Sequence, residues 1–381
     1  MINGVSLFAN AGIAETYLKE VGVNIVLANE IVERRALFYK HLYPECEVVN
    51  GDITDPAVFD QIVSRSKELH VEFLIATPPC QGMSIAGLMN PYDERNSLVK
   101  YAIDAIELIQ PKFVLLENVP RQMVTPIFYK DEELLIPEYI SRRLSDYYNI
   151  CINPQINTAD YGIPQRRERA ILLMTRKDCD CTWTFPEKEN HQINLDEAFK
   201  DIPDLWPIIR DAEYKNMLPV NTEEALSFHK WHVPPTHSWR HVLCMLYTPT
   251  GNTAFDNEYY YPRNKDGSKI KGYDTTYHRM FWDKPAPTVT RHNSVIGSQN
   301  NVHPGRPWKN DPDGNMMYTN PRVLSIYELM VVSSLPTDWN IPDWASHELI
   351  RQVIGEGIPP LLIRKIVERL GLMDGTNKKE N

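Results

Sequence analysis

Short apolar runs alternate with amphipathic stretches over the first 180 or so residues. Val5 to Phe8, Asn24 to Ala28, Cys46 to Val49, Phe73 to Ala76, Phe113 to Leu116 and Ala170 to Met174 each span four or five mainly aliphatic residues. Runs this short predict buried strands, of the kind found in parallel sheets. Between them, Ala14 to Val21, Glu33 to Tyr43 and Leu98 to Leu108 carry apolar residues at helical spacing. Alternating β and α units predict an α/β fold with a doubly wound parallel sheet, whose ligands gather at the carboxyl ends of the strands. After about residue 185 the pattern changes. Prolines, aromatics and polar residues dominate up to about residue 320, and helical periodicity is weak. This predicts a second, loop-rich unit built from turns and short strands. Helical spacing returns at Ser325 to Val332 and Leu361 to Leu370, before a polar tail.

Composition narrows the class. With 381 residues, 43% of them hydrophobic, the chain has material for one large core and a smaller domain. No apolar run reaches the roughly 18 residues that a membrane span needs. The first residues, MINGVSLFANAG, lack the basic-then-apolar order of a signal peptide, so a cytoplasmic location is expected. The six cysteines (Cys46, Cys80, Cys151, Cys179, Cys181 and Cys244) are too scattered for a disulfide framework. Cys179 and Cys181 with His191 lack the second pair that would complete a metal site, and Pro234-Pro235 interrupts any helical register among His229, His232, His237 and His241. No metal is expected. The net charge of −10 argues mildly against nucleic acid, but its distribution changes that reading. Residues 225–255 and 284–310 contain no acid, and Gly162 to Lys177 holds four arginines and one lysine against one acid. One face attractive to phosphate is expected.

Candidate chemistry collects where the strands end. Phe8-Ala-Asn-Ala-Gly12 follows the first strand, and its small residues let a backbone approach a nucleotide-like ligand. Glu30 ends the second strand and Asp52 the third. Each is either a ribose or adenine acceptor or a cap or turn residue, and together they suit an uncharged nucleoside better than a pyrophosphate. Ala76-Thr-Pro-Pro-Cys80-Gln-Gly-Met-Ser84 follows another strand. Cysteines are ordinarily small core residues, but here two prolines stiffen the approach and Gly82 loosens the exit. Glu117 ends the next strand as a cap or a buried acid. Alternation along Gln165-Arg-Arg-Glu-Arg169 would turn Arg167 and Arg169 toward one pocket.

In chain order, Phe8 to Gly12, Pro79-Cys80-Gln81, Glu117-Asn118-Val119, Gln165-x-Arg167-x-Arg169, Arg322-x-x-Ser325-x-x-Glu328 and Gly355-x-x-x-Pro359-Pro360 resemble the motifs of the DNA cytosine-C5 methyltransferases of bacterial and phage restriction–modification systems. The resemblance runs from residue 5 to about residue 365. It implies a Rossmann-like S-adenosylmethionine-dependent fold with a smaller DNA-recognition domain. It also implies a C-terminal helix that returns to the first domain, giving 1–185 plus 345–381 for catalysis and 186–344 for recognition. Cys80 would attack C6 of a flipped cytosine, making C5 reactive. Glu117 would hold the base and protonate N3, while Arg169, with Arg167 helping, would hold O2. Extruding the base costs on the order of a few kcal/mol, and the loop with Gln81 and Ser84 would close over it. Phe8, Gly12, Ile13, Glu30, Ile31, Asp52, Ile53, Pro79, Leu98 and Ile358 would form the S-adenosylmethionine site.

Several positions depart from the family pattern. Ser6 stands where an Asp is usual, Asn10 and Ile13 where glycines are common, and Glu356, Gly357 and Ile358 where the usual Gly-Asn-Ala-Val-Pro-Pro has Asn, Ala and Val. The resemblance implies double-stranded DNA as the partner, a monomer, and a separately acting cognate endonuclease. The rivals are an RNA (tRNA) cytosine-C5 methyltransferase on the same scaffold and a catalytically silent DNA-binding or assembly module. The long recognition segment argues against the first, and Cys80, Glu117, Arg167 and Arg169 against the second. Trp231, Trp239, Arg240, Arg263, Lys265, Lys269, Lys271 and Arg291 are candidate DNA contacts.

Overall fold

The computed structural model describes residues 1–79 and 98–373, so Cys80, Gln81 and Ser84 lie outside the described residues. The amino-terminal half builds β1 (Ile2–Leu7), β2 (Val23–Glu30), α1 (Glu33–Leu42), β3 (Glu47–Asn50), α2 (Pro56–Glu68), β4 (Phe73–Ala76), α3 (Leu98–Ile109), β5 (Phe113–Asn118), the hairpin β6 (Pro126–Tyr129) and β7 (Glu132–Leu135), α4 (Ile136–Leu144), β8 (Tyr148–Asn157) and β9 (Glu168–Arg176). Seven of these strands form one sheet in the order β3-β2-β1-β4-β5-β9-β8. The chain leaves β1 toward β2 and β3, then crosses back to β4 on the other side. The switch point therefore lies between β1 and β4, where ligands bind in such sheets.

Residue parity on the central strands divides the core. Leu74, Ala76, Val114, Leu116, Leu172 and Met174 pack with α2, α3 and α4 on one face. Phe73, Ile75, Phe113, Leu115, Ile171 and Leu173 pack on the other with Leu362, Ile363, Ile366 and Val367 of α10 (Pro360–Glu368). The side-chain period of two is the cause: each strand is apolar on both faces because both are covered.

Two expectations are corrected. The run Ala170 to Met174 is a strand, but β9 pairs antiparallel with both β5 and β8. Only Thr158–Arg167 join β8 to β9, and a parallel connection would need a crossover of a dozen residues or more. The stretch Ala14 to Val21 is not an α-helix. Thr16, Leu18 and Glu20 each bond back three residues, to Ile13, Glu15 and Tyr17, and a 3₁₀ turn (Leu18–Val21) ends at the left-handed Gly22.

Downstream, α5 (Leu195–Ala198), β10 (Ile208–Ile209), α6 (Glu223–Ser227), β11 (Thr236–His237), α7 (Trp239–Leu246), β12 (Pro307–Asn310), β13 (Met316–Tyr318), α8 (Ile326–Val332) and α9 (His347–Glu356) lead into α10. A small core of Ile209, Val242, Cys244, Met245, Ala254, Tyr277, Ile296, Val302 and Val323 lies wholly in this region. Another cluster joins Ala11, Ile13 and Phe38 to Ala286, Val289, Leu324, Leu329, Ile350, Val353 and Ile354.

The Arg322-x-x-Ser325-x-x-Glu328 motif is scaffold. Ser325 and Glu328 form a capping box that starts α8. Arg322, fully buried, donates to both Glu328 oxygens at 2.7 and 2.8 Å and to the Leu205 carbonyl at 2.6 Å. Burial alone would raise the Glu328 carboxyl, but the adjacent guanidinium outweighs it and holds the group well below the usual carboxylate range. His303 Nε2 lies 3.7 Å away, but burial and Arg322 push that imidazole well below its ordinary value. The ion pair is therefore Arg322–Glu328.

The four clustered histidines are likewise packing residues. His232 bonds Ser325 Oγ and the Pro203 carbonyl, both at 3.1 Å. Burial, with nearby arginines, pushes His237 down to about 3 and His241 down to about 4. Among the described residues no group of three or more His, Cys, Asp or Glu is placed to hold a metal ion, and no helix is long and apolar enough to cross a membrane.

Candidate active site

The carboxyl edge of the sheet opens into a cleft of about 1410 Å³. Phe8, Ile13, Glu30, Ile31, Asp52, Ile53, Pro79, Leu98, Glu117, Arg167, Arg169 and Ile358 all line it. The antiparallel run of β9 explains how its first residues arrive there: its start, not its end, meets the carboxyl ends of its parallel neighbours. Gly12 is not among the lining residues. Its φ of +77° and the Tyr43 ring, 2.3 Å from where a Cβ would sit, give it a packing role. The Tyr43 hydroxyl donates to its carbonyl at 2.6 Å.

The loop after β1 keeps the shape of a glycine-rich turn without most of the glycines. Phe8 and Asn10 have φ of 59° and 49°, a left-handed region that Asn tolerates better than most residues. Glu30 fixes the turn. Its Oε2 accepts from Asn10 N at 2.9 Å and its Oε1 from Val32 N at 2.8 Å. Burial raises its pKa, against these hydrogen bonds and Arg35. Each oxygen keeps a further lone pair for a ligand hydroxyl. Glu30 is therefore both the loop's cap and an available acceptor. Asp52 Oδ1 accepts from Thr54 N at 2.9 Å, a turn bond made while the residue faces the cleft.

Ile13 is accommodated by a change elsewhere. A Cβ on Gly357 would lie 2.9 to 3.0 Å from three Ile13 carbons. The bulk added at 13 relative to the family pattern is thus matched by the methyl missing at 357.

Ser6 also has a counterpart. Its hydroxyl donates to Glu15 Oε1, while Glu15 Oε2 has no hydrogen-bond partner among the described residues. Burial raises the Glu15 carboxyl from 4.5 to about 7, the Ser6 bond opposing it. Between those values the folded protein holds a proton that the unfolded chain has lost, so stability falls as pH rises through that window. Ionising the buried group costs on the order of 3 kcal/mol at high pH. Glu15→Gln should therefore raise the melting temperature at pH 8 much more than at pH 5. Thermal unfolding at both pH values checks this, and equal gains would contradict it.

At the opposite wall, Arg169 Nε donates to Glu117 Oε1 at 2.7 Å, with both side chains largely buried. Asn118 Nδ2 donates to the Pro78 carbonyl at 3.1 Å, tying the end of β5 to the Thr77-Pro78-Pro79 segment that follows β4. Gln165 and Arg167 do something different. Gln165 accepts from Val289 N at 3.1 Å and donates to the Val332 carbonyl at 3.2 Å. Arg167 donates to the Val289 carbonyl at 2.8 Å and to those of Gly355 and Glu356 at 3.1 and 3.2 Å. A Cβ on Gly355 would fall 2.2 Å from the Thr290 carbonyl oxygen, so glycine permits this close approach. Arg167 and Arg169 face one cleft, and Arg169 bonds the acid.

Of the far rim, Pro287 to His292 with Ser346, Glu348, Leu349 and Gln352, sequence reasoning singled out Arg291 and missed the rest. The acid-free stretch 284–310 was the other trace of it. Of the candidate DNA contacts, Arg291 alone lines the cleft. Trp231 and Trp239 pack against apolar clusters.

Comparisons with known proteins agree with this geometry. Residues 2–372 match the family model for C-5 cytosine-specific DNA methylase. The chain is 39% identical to the type II methyltransferase M1.HgaI of Avibacterium volantium over 374 residues, covering 97% of this chain and 98% of that one. It is 26% identical to M.DdeI of Desulfomicrobium norvegicum, covering 97% and 88%. The structure of the Entamoeba histolytica methyltransferase EhMeth shares the fold with a TM-score of 0.62 at 15% identity, over 99% of each chain. With nearly its whole length matched in sequence and a sheet edge that gathers the acid and the arginine, the chain belongs to the C-5 cytosine-specific DNA methylases.

Proposed function

We propose that this enzyme is a sequence-specific cytosine-C5 methyltransferase of a type II restriction–modification system. In this reading it acts as a cytoplasmic monomer on double-stranded DNA, and a cognate endonuclease works independently. The observation that carries the reading is the Glu117–Arg169 pair facing the same cleft as Pro79, the residue bonded to Cys80. The Cys80 thiolate adds to C6 of a flipped cytosine. Glu117 protonates N3, and the C5–C6 double-bond electrons become available at C5. Arg169 holds O2 and steadies the developing charge, and Arg167 supports it by fixing the backbone of Val289 and Gly355. Once C5 carries the methyl group, a base takes the C5 proton, the electrons of that C–H bond expel the thiolate from C6, and N3 returns its proton to Glu117. Gln81 and Ser84 belong to the loop that closes over the base.

S-adenosylmethionine supplies the methyl group. The residues fit it: acids rather than phosphate-binding cations end β2 and follow β3, and Phe8, Ile13, Ile31, Ile53, Pro79, Leu98 and Ile358 give apolar walls for an adenosyl group. Glu30 would accept from the ribose and Asp52 from the adenine amine, with Gly12 shaping the loop. Residues 1–185 plus 345–381 form the catalytic domain and 186–344 the recognition domain, a division supported by the separate small core around Val242 and Val302.

Expression in a host lacking cytosine methylation, followed by sequencing for 5-methylcytosine, tests the proposal. Modification at one recurrent DNA sequence is expected. Methyl label found only in RNA would overturn it.

A further inference from the structure

Glu356, the acid that stands where the family pattern has Asn, sits between two arginines. Arg35 Nη2 meets its Oε2 at 2.6 Å, and Arg291 Nε meets its Oε1 at 3.3 Å. The two contacts differ in kind. Arg35 is 15% exposed and its bond is short, whereas Arg291 is 45% exposed and its contact is long. Because the arginines use different oxygens, one can leave without disturbing the other. All three residues line the cleft.

The backbone beneath Arg291 is held independently of its side chain. Arg167 binds the Val289 carbonyl, Thr290 packs on Gly355, and Arg351 Nη1 donates to Asn293 Oδ1 at 3.1 Å. Arg291 can therefore turn its guanidinium without moving the chain. It also lies within the acid-free stretch 284–310.

We propose that Arg291 is a DNA-phosphate ligand held in reserve by Glu356: entering duplex takes Arg291 from the carboxylate, while Arg35 keeps Glu356 in place. This rests on the cleft being the duplex site. An exposed ion pair contributes little net stability, whereas a phosphate contact also releases a condensed counterion. The exchange is therefore downhill in the presence of DNA. The usual asparagine would carry no charge to hold Arg291, so the reserve state belongs to this chain's own substitution.

The test is a double-mutant cycle on the full-length protein without S-adenosylmethionine. Binding of a fluorescent mixed-sequence duplex is measured by anisotropy over a series of potassium chloride concentrations. Arg291→Gln is expected to weaken binding and to make the slope of log K against log salt shallower by about 0.9, whereas Arg291→Lys keeps the slope. Glu356→Gln is expected to tighten binding several-fold, and that gain should vanish in the Arg291→Gln background. A gain that persists there is general charge removal and overturns the exchange. So does a slope that Arg291→Gln leaves unchanged. Salt-insensitive binding by the unaltered protein would instead overturn the duplex-cleft reading itself, and this inference with it.

Discussion

Cys80→Ser is expected to abolish methyl transfer, lowering the rate by ~10³-fold or more, a barrier increase of about 4 kcal/mol. The reason is the nucleophile. A thiol near neutral pH supplies a usable fraction of thiolate, whereas a serine hydroxyl needs an adjacent general base. Glu117 and Arg169, which hold the base in the proposed reaction, are bonded to each other at 2.7 Å. Glu117 is needed as a proton donor to N3, and a guanidinium does not deprotonate in a protein. Neither can take a proton from a serine at position 80. The substitution removes one sulfur atom's chemistry and little volume, so duplex binding and thermal stability should be close to those of the unaltered protein. Transfer of tritium-labelled methyl groups to mixed-sequence DNA measures the loss. Turnover within tenfold of the parent would refute the covalent route.

The second large effect is on stability. Glu328→Ala should lower the unfolding free energy by about 3–5 kcal/mol, the range for removing one partner of a buried ion pair. Arg322 is fully buried and gives two donors to Glu328. Without the carboxylate its charge stays in the interior, where the Leu205 and Val323 carbonyls and Asn320 Oδ1 are its remaining acceptors. The same change removes the reciprocal half of the capping box at the start of α8. Urea unfolding reads the loss, and a change below about 1 kcal/mol would contradict it. Replacing both partners by apolar residues, as in Arg322→Met with Glu328→Leu, should recover most of it, because burying two charges costs nearly what their attraction returns.

Much of the sheet was legible because its central strands are covered on both sides and read as unbroken apolar runs. Phe73 to Ala76 is a strand with the bounds that its composition suggests. The direction of β9 was not legible, because an apolar run carries no polarity. Its ten-residue approach from β8 was the available clue. Helix α2 was overlooked although Asp55 caps it and Pro56 begins it, and α9 although Ser346 caps it. Their charged surfaces dilute the apolar spacing.

In the site, Glu117 and Arg169 were legible because each borders an apolar strand. The tasks of Gln165 and Arg167 were not. Alternation places 165, 167 and 169 on one side of an extended chain, but how far each lies under cover depends on Val289, Val332 and Gly355, more than 120 positions later. Glu356 stood out as a departure, yet nothing near it in sequence names Arg35 as its partner. Trp231 and Trp239 were ambiguous for a related reason: an aromatic in a polar stretch suits a DNA contact and a small core equally well.

The fit of Ile13 against Gly357 has a consequence for how this chain diverged and how it can be altered. The two positions are epistatic. With Ile13 present, restoring the common alanine at 357 would place a Cβ within 3.0 Å of the isoleucine's own Cβ, where no rotamer change relieves the clash. An ancestor with glycine at 13 could lose the methyl at 357 at the cost of a small void, whereas the reverse order passes through an overpacked intermediate. Loss at 357 before gain at 13 is therefore the accessible route. Redesign that swaps the family's usual residues into this chain would meet the same clash if position 357 were changed first, whereas Ile13→Gly followed by Gly357→Ala avoids it.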